Sequence, residues 1–150
     1  MSHIEDRIAL RELIDLFAIY GDKRQMTEQA LLFSDTAIVE LYFEGVLTST
    51  LKGHLEIEET FTSFIKAFES AYHFNGQQIL TINNETATGI AYCTVTLIGI
   101  EEGKRIKTTI GMHYEDVYTK LNGRWFIDKR KSMFDWQEKN ELAIDSTSNN

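Results

Sequence analysis

The stretch Thr86–Leu121 reads TATGIAYCTVTLIGIEEGKRIKTTIGMHYEDVYTKL. It alternates between polar and apolar residues on both sides of Glu101-Glu102-Gly103, a turn signal. Alternation at period two places successive side chains on opposite faces of a strand, so this is a hairpin of two long strands, about 86–100 and 105–121. On the second of these, Met112, Tyr114, Asp116 and Tyr118 share one face, and His113, Glu115 and Val117 share the other. Asn122-Gly123 is a two-residue hairpin signal and predicts a further strand over 124–133. On the other side, the turn at Asn83-Asn84 predicts a strand over 77–82. The period changes to two near His73, and everything after it is read as a four-strand antiparallel meander. Strands this long bend, and Gly89, Gly99 and Gly111 are candidate bend or bulge points.

Upstream of His73 the spacing is helical. Leu10, Leu13, Ile14, Phe17 and Gly21 follow one helix face, Ser2 and Glu5 fit a capping box, and Gly21 is a possible stop. A short helix is expected over Met26–Phe33, then a strand over Ala37–Phe43. A third helix follows Gly53, with Ile57, Phe61, Phe64, Ile65 and Phe68 on one face and Glu56, Glu58 and Glu59 near its first turn. Helices followed by a meander make an α+β fold, in which a strongly curved sheet packs its concave side against three helices and encloses a cone-shaped cavity. One domain is expected over 1–136. A polar tail follows over 137–150, and its last five residues, Ser146–Asn150, are expected to fray.

Composition narrows the function classes. The chain has 150 residues, 43% of them hydrophobic, with 9 Phe, 6 Tyr and 2 Trp, so it can bury a core without staples. A net charge of −8 argues against nucleic acid and anionic membrane surfaces as partners. No apolar run approaches the ~18 residues of a membrane-crossing helix. The opening MSHIEDR has neither the basic nor the apolar segment of a secretory signal, which predicts a cytoplasmic protein. One cysteine, Cys93, excludes an internal disulfide, and the four histidines lack metal-ligand spacing. No phosphate loop or nucleophile elbow is present, and Asn84-Glu85-Thr86 is read as a turn.

One constellation can carry chemistry. Tyr20 and Asp22 end the first helix, and His73 opens the meander. A carboxylate beside an imidazole orients it as a general acid/base, and a tyrosine hydroxyl can polarise a carbonyl. Each residue also has a plainer reading: Tyr20 as a rim aromatic, Asp22 as a loop residue in water, His73 at a strand edge. A second set, Met112, Tyr114 and Asp116, would line the cavity from the 105–121 strand. An inward Asp116 would be desolvated, or would bond to Tyr114 as a structural pair.

Ile8, Leu13, Tyr20, Asp22, Leu32-Phe33-Ser34-Asp35 and Ala37-Ile38-Val39 resemble, in order and spacing, the opening of a SnoaL-like domain of the nuclear transport factor 2-like superfamily. His73-Phe74-Asn75-Gly76, Gly111-x-x-Tyr114-x-Asp116 and Gly123-x-Trp125-x-Ile127 resemble its later strands, so the likeness covers about 4–136. It implies a cone-shaped barrel with an internal pocket, dimeric through the sheet. Tyr20, Asp22 and His73 match positions used by scytalone dehydratase-type members. Leu97 or a neighbour stands where those members carry a further His, and Met112 and Tyr114 stand where they carry a Ser and an Asn. The position where ketosteroid isomerase-type members place their base falls near Leu41, and Asp116 aligns loosely with their acidic donor.

Together these readings predict cofactor-independent acid/base chemistry, as dehydration, isomerisation or aldol-type cyclisation, on a small apolar molecule bearing a carbonyl or hydroxyl. In that scheme His73 is the acid/base, Asp22 orients it, Tyr20 is the electrophilic donor, and Met112, Tyr114 and Asp116 contact the ligand. The alternative is a domain of the same fold that binds a ligand or protein without turnover. The outer face of the sheet, with apolar residues and no helix left to cover it, predicts a homodimer.

Overall fold

The computed structural model describes residues 3–142. Helix α1 (Ile4–Asp22) is followed by α2 (Met26–Ala30), β1 (Phe33–Phe43), β2 (Val46–Lys52) and α3 (His54–Ile65). Four long strands complete the chain: β3 (Ser70–Asn83), β4 (Thr86–Glu101), β5 (Lys104–Leu121) and β6 (Arg124–Glu141). They form one six-stranded sheet in the order β2-β1-β6-β5-β4-β3. The meander β3 to β6 is antiparallel throughout, as the alternation predicts, and no helix interrupts it. The sheet is curved but open, with β2 and β3 as its edges.

The departures have local causes. A strand absent from the sequence reading, β2, turns back on β1 through Glu44-Gly45, both at positive φ. Its residues Val46–Thr50 are exposed, so it carries no apolar alternation. The β1–β2 hairpin joins the meander by a parallel pairing of β1 with β6. Helix α2 ends at Ala30 because the chain is already extended from Phe33. The last strand runs on to Glu141, so residues 137–141 of the expected tail belong to the sheet, pairing with Ile106 to Ile110. Residues 146–150 lie outside the described residues, as does Ser2 of the expected capping box. His3 precedes α1 without a side-chain cap.

The core lies between the concave face of the sheet and the helices. Leu10, Leu13, Ile14 and Phe17 of α1 are buried, on the stripe the spacing predicts, against Ala91, Cys93, Val95, Leu97, Ile110 and Met112. Each large aliphatic fully buried here contributes about 1.5–3 kcal/mol. Asp6 anchors the start of α1 to the sheet by accepting from Trp125 Nε1–H at 2.8 Å and from Lys120 at 3.1 Å. Further along, Arg11 donates to the Gly76 carbonyl and Asn75 to the Ile14 carbonyl, which fixes α1 along the edge strand β3. Among the described residues no helix is long and apolar enough to cross a membrane.

Candidate functional site

The last turn of α1 faces the start of β3. As an edge strand, β3 has backbone N–H groups on its free side that need partners from elsewhere. Asp22 supplies one: its two oxygens accept from the His73 N–H at 3.1 and 2.9 Å. The same carboxylate meets His73 Nδ1 at 2.6 Å. A carboxylate only accepts when ionised, so the neutral imidazole carries its proton on Nδ1 and its lone pair on Nε2. Among the described residues nothing bonds to Nε2. The ring is held edge-to-face against Phe17, with centroids 6.4 Å apart.

The loop below is also tied down. Arg24 adopts positive φ and donates to the Ile65 and Phe68 carbonyls just past α3, satisfying the open end of that helix. Asp22 is therefore fixed between α1, α3 and β3.

His73 lines a cavity of about 90 Å³ between the sheet and the helices. The walls are apolar: Phe17, Phe61, Phe64 and Phe134, the thioethers of Met26 and Met112, and aliphatic residues of β1, β4 and β5. The polar side chains on the wall are His73, Gln29, Tyr114 and Ser132. Burial pushes the Tyr114 phenol above its ordinary range, so its hydroxyl stays protonated, next to the Cys93 sulfur. Burial likewise raises the Cys93 thiol to about 11 and keeps it un-ionised.

Of the residues singled out from the sequence, Asp22 and His73 meet, and His73, Met112 and Tyr114 line the cavity. Tyr20 and Asp116 do not line it. Residues two apart on an α-helix point about 200° apart. With α1 helical through Asp22, Tyr20 and Asp22 cannot both face His73. Tyr20 packs against the core, and no hydrogen bond joins it to Asp22 or His73. Asp116 is inward and fully buried, as its alternation predicts, but its oxygens are taken. Arg130 Nε and Nη2 donate to them at 2.8 and 2.9 Å, and the Tyr118 hydroxyl donates at 2.6 Å. No hydrogen bond joins it to Tyr114.

Arg130, Ser132 and Gln29 escape the sequence reading. Alternation from Trp125 and Ile127 would turn Lys129 and Lys131 inward. A register shift leaves Asp128 unpaired between Ile127 and Lys129, and it brings Arg130 and Ser132 inward instead. The run Lys129-Arg130-Lys131 carries no signal of that shift. Arg130 lies 3.9 Å from the Tyr114 ring centre and 4.6 Å from that of Phe17, so it backs the cavity wall. Burial opposes its charge, but Asp116 overrides this and holds the guanidinium above its ordinary range. Gln29 is one polar residue in a five-residue helix, where no periodicity can place it.

The other histidines also have carboxylates nearby. His113 pairs with Asp135 at 2.5 Å and stacks on Tyr92, on the outer face of the sheet. His54 and His3 lie near Asp35 and Asp6. Of the four, only His73 lines the cavity. Among the described residues no group of three His, Cys, Asp or Glu side chains could hold a metal ion.

With this fold and cavity in place, comparison with known proteins is direct. A family model described as the SnoaL-like domain matches residues 2–131, and the chain belongs to that family. A candidate scytalone dehydratase from Novosphingobium aromaticivorans is similar over 95% of this chain and 92% of that one, with 15% identity and a TM-score of 0.81. A hexachlorocyclohexane dehydrochlorinase, LinA type 2, is similar over 94% and 91%, with 20% identity and a TM-score of 0.76. The Kfla4162 protein of Kribbella flavida is similar over 91% and 95%, with 17% identity and a TM-score of 0.80. At these identities the likeness is one of fold. No curated protein matches the chain.

Proposed function

We propose that the His73–Asp22 pair is the general acid/base of a cofactor-independent, lyase-type reaction on a small apolar molecule held in the cavity. The observation that carries this reading is the 2.6 Å contact of Nδ1 with Asp22 on an imidazole that lines an apolar cavity and whose Nε2 has no partner among the described residues. Nε2 takes a proton from the substrate, and Asp22 balances the imidazolium that forms. The proton then returns to another atom or accompanies a leaving group. Elimination is the best fit, because the wall offers few donors to stabilise an enolate. The names of two proteins of this fold, a dehydratase and a dehydrochlorinase, describe eliminations and lend support. Isomerisation or aldol-type cyclisation uses the same base.

The test is hydrogen–deuterium exchange and product formation in a panel of small cyclic alcohols, ketones and halides. Wild-type protein is expected to turn over or exchange at least one, and His73→Gln to be slower by a factor on the order of 10² or more. Equal rates in both proteins contradict the proposal.

A second reading, ligand binding without turnover, is favoured by Leu41 and Leu97. These stand at or next to positions where the resemblance puts acid/base groups in other members, and both form apolar wall here. Under that reading the same panel yields binding without exchange.

We also infer a homodimer through the outer face of the sheet. Tyr72, Phe74, Ile79, Ile90 and Tyr92 are exposed there on β3 and β4. A cytoplasmic site of action fits a chain whose one cysteine is buried and free.

A further inference from the structure

Gln29 is buried and lines the cavity beside His73. Its Nε2 donates to the Phe17 carbonyl at 3.0 Å. That carbonyl also accepts within α1, and Gly21, one turn on, leaves it open from the side. A Cβ on Gly21 would lie 2.8 Å from Gln29 Nε2 and 3.7 Å from His73 Cε1. Gln29 and His73 therefore approach the same glycine.

The bond to Phe17 fixes which way the amide faces. A carbonyl oxygen cannot donate, so the atom on the Phe17 carbonyl must be nitrogen. The other amide atom, Oε1, is an acceptor. No donor among the described residues reaches it, yet it is not among the sealed, unpartnered polar atoms, which are Gln78 Nε2 and Arg130 Nη1. It therefore keeps accessible surface, on a residue that lines the cavity. A fixed acceptor in an apolar wall selects for donors, because a ligand group that cannot donate leaves it desolvated and unpaired.

We propose that Gln29 is a specificity-determining residue of this cavity, accepting a hydrogen bond through Oε1 from a hydroxyl group on the substrate. This rests on the reading of the His73 cavity as the substrate site and narrows it. The ligand is a small apolar molecule with an O–H donor close to the atom that faces His73. A carbonyl at that position is disfavoured, since two acceptors would meet.

The experiment compares phenol with fluorobenzene, which matches it in size and lacks the donor. Binding is followed by NMR at the His73 ring and at the Gln29 side-chain amide. Wild-type protein is expected to bind phenol more tightly, and Gln29→Met to shift the affinity ratio toward fluorobenzene by roughly tenfold. If phenol binds wild type no better than fluorobenzene, the proposal falls, whether or not the variant folds. If the phenol preference survives in Gln29→Met, another group reads the hydroxyl and the proposal also falls. In both cases shifts at His73 leave the cavity reading standing. If neither compound perturbs His73, the cavity reading fails and takes this proposal with it.

Discussion

Arg130 and Asp116 form a fully buried ion pair, joined by two hydrogen bonds of 2.8 and 2.9 Å, behind the Tyr114 wall of the cavity. Desolvating two charges is costly, so such a pair adds little net stability over an apolar replacement, but breaking it strands a charge. Asp116→Ala is expected to destabilise the fold by about 3–5 kcal/mol. Asp116→Ala with Arg130→Met should recover much of that loss, because no lone charge remains. Urea unfolding of the single and double variants checks this. A double variant as unstable as the sum of its parts would contradict it.

Asp6 ties α1 to the sheet. The Trp125 indole N–H and Lys120 hold its carboxyl below the ordinary value of 3.8, against a smaller opposing effect of burial. A carboxylate depressed in the folded state contributes stability above its unfolded pKa, and that contribution is lost as pH falls through the folded pKa. Asp6→Ala should therefore cost about 1–3 kcal/mol at pH 7, mostly through the orphaned Trp125 N–H. The difference from wild type should narrow as pH drops below about 4. Tryptophan-monitored urea unfolding at pH 7 and at low pH measures both effects. Equal stabilities at pH 7 would show that the anchor carries no weight.

The outer sheet face gives a prediction about assembly. Tyr92 is half exposed there and stacks on His113, within a patch that includes Phe74 and Ile79. Wild-type protein should sediment at twice the 17.3 kDa chain mass, and Tyr92→Arg should sediment as a monomer. A wild-type monomer at micromolar concentration would contradict the proposed dimer.

Period-two alternation and turn chemistry made most of the sheet legible. Met112, Tyr114, Asp116 and Tyr118 all point inward, and the three hairpins of the meander fall at the expected turns. Edge strand β2 was hidden because six of its seven residues face water and need no pattern. The inward turn of Arg130 and Ser132 was hidden because a single unpaired residue, Asp128, reverses the parity of β6. Within the site, Asp22 and His73 were legible as groups at the ends of neighbouring elements. The departure of Tyr20 follows from one further residue of helix. Gln29 had no signal: only the missing Cβ of Gly21, seen in three dimensions, explains its position.

The central claim is that Asp22 orients and charges His73 for proton transfer. Asp22→Asn keeps the shape and can still accept from the His73 N–H, but removes the charge that balances an imidazolium. On any substrate found in the exchange panel, the measurement is the pH–rate profile of wild type and Asp22→Asn, with unfolding followed in parallel. The account predicts a rate loss on the order of 10² or more, a displaced pH dependence, and little loss of stability. An unchanged profile, or a rate loss that merely tracks unfolding, would contradict it and leave Asp22 as a cap on the edge of β3.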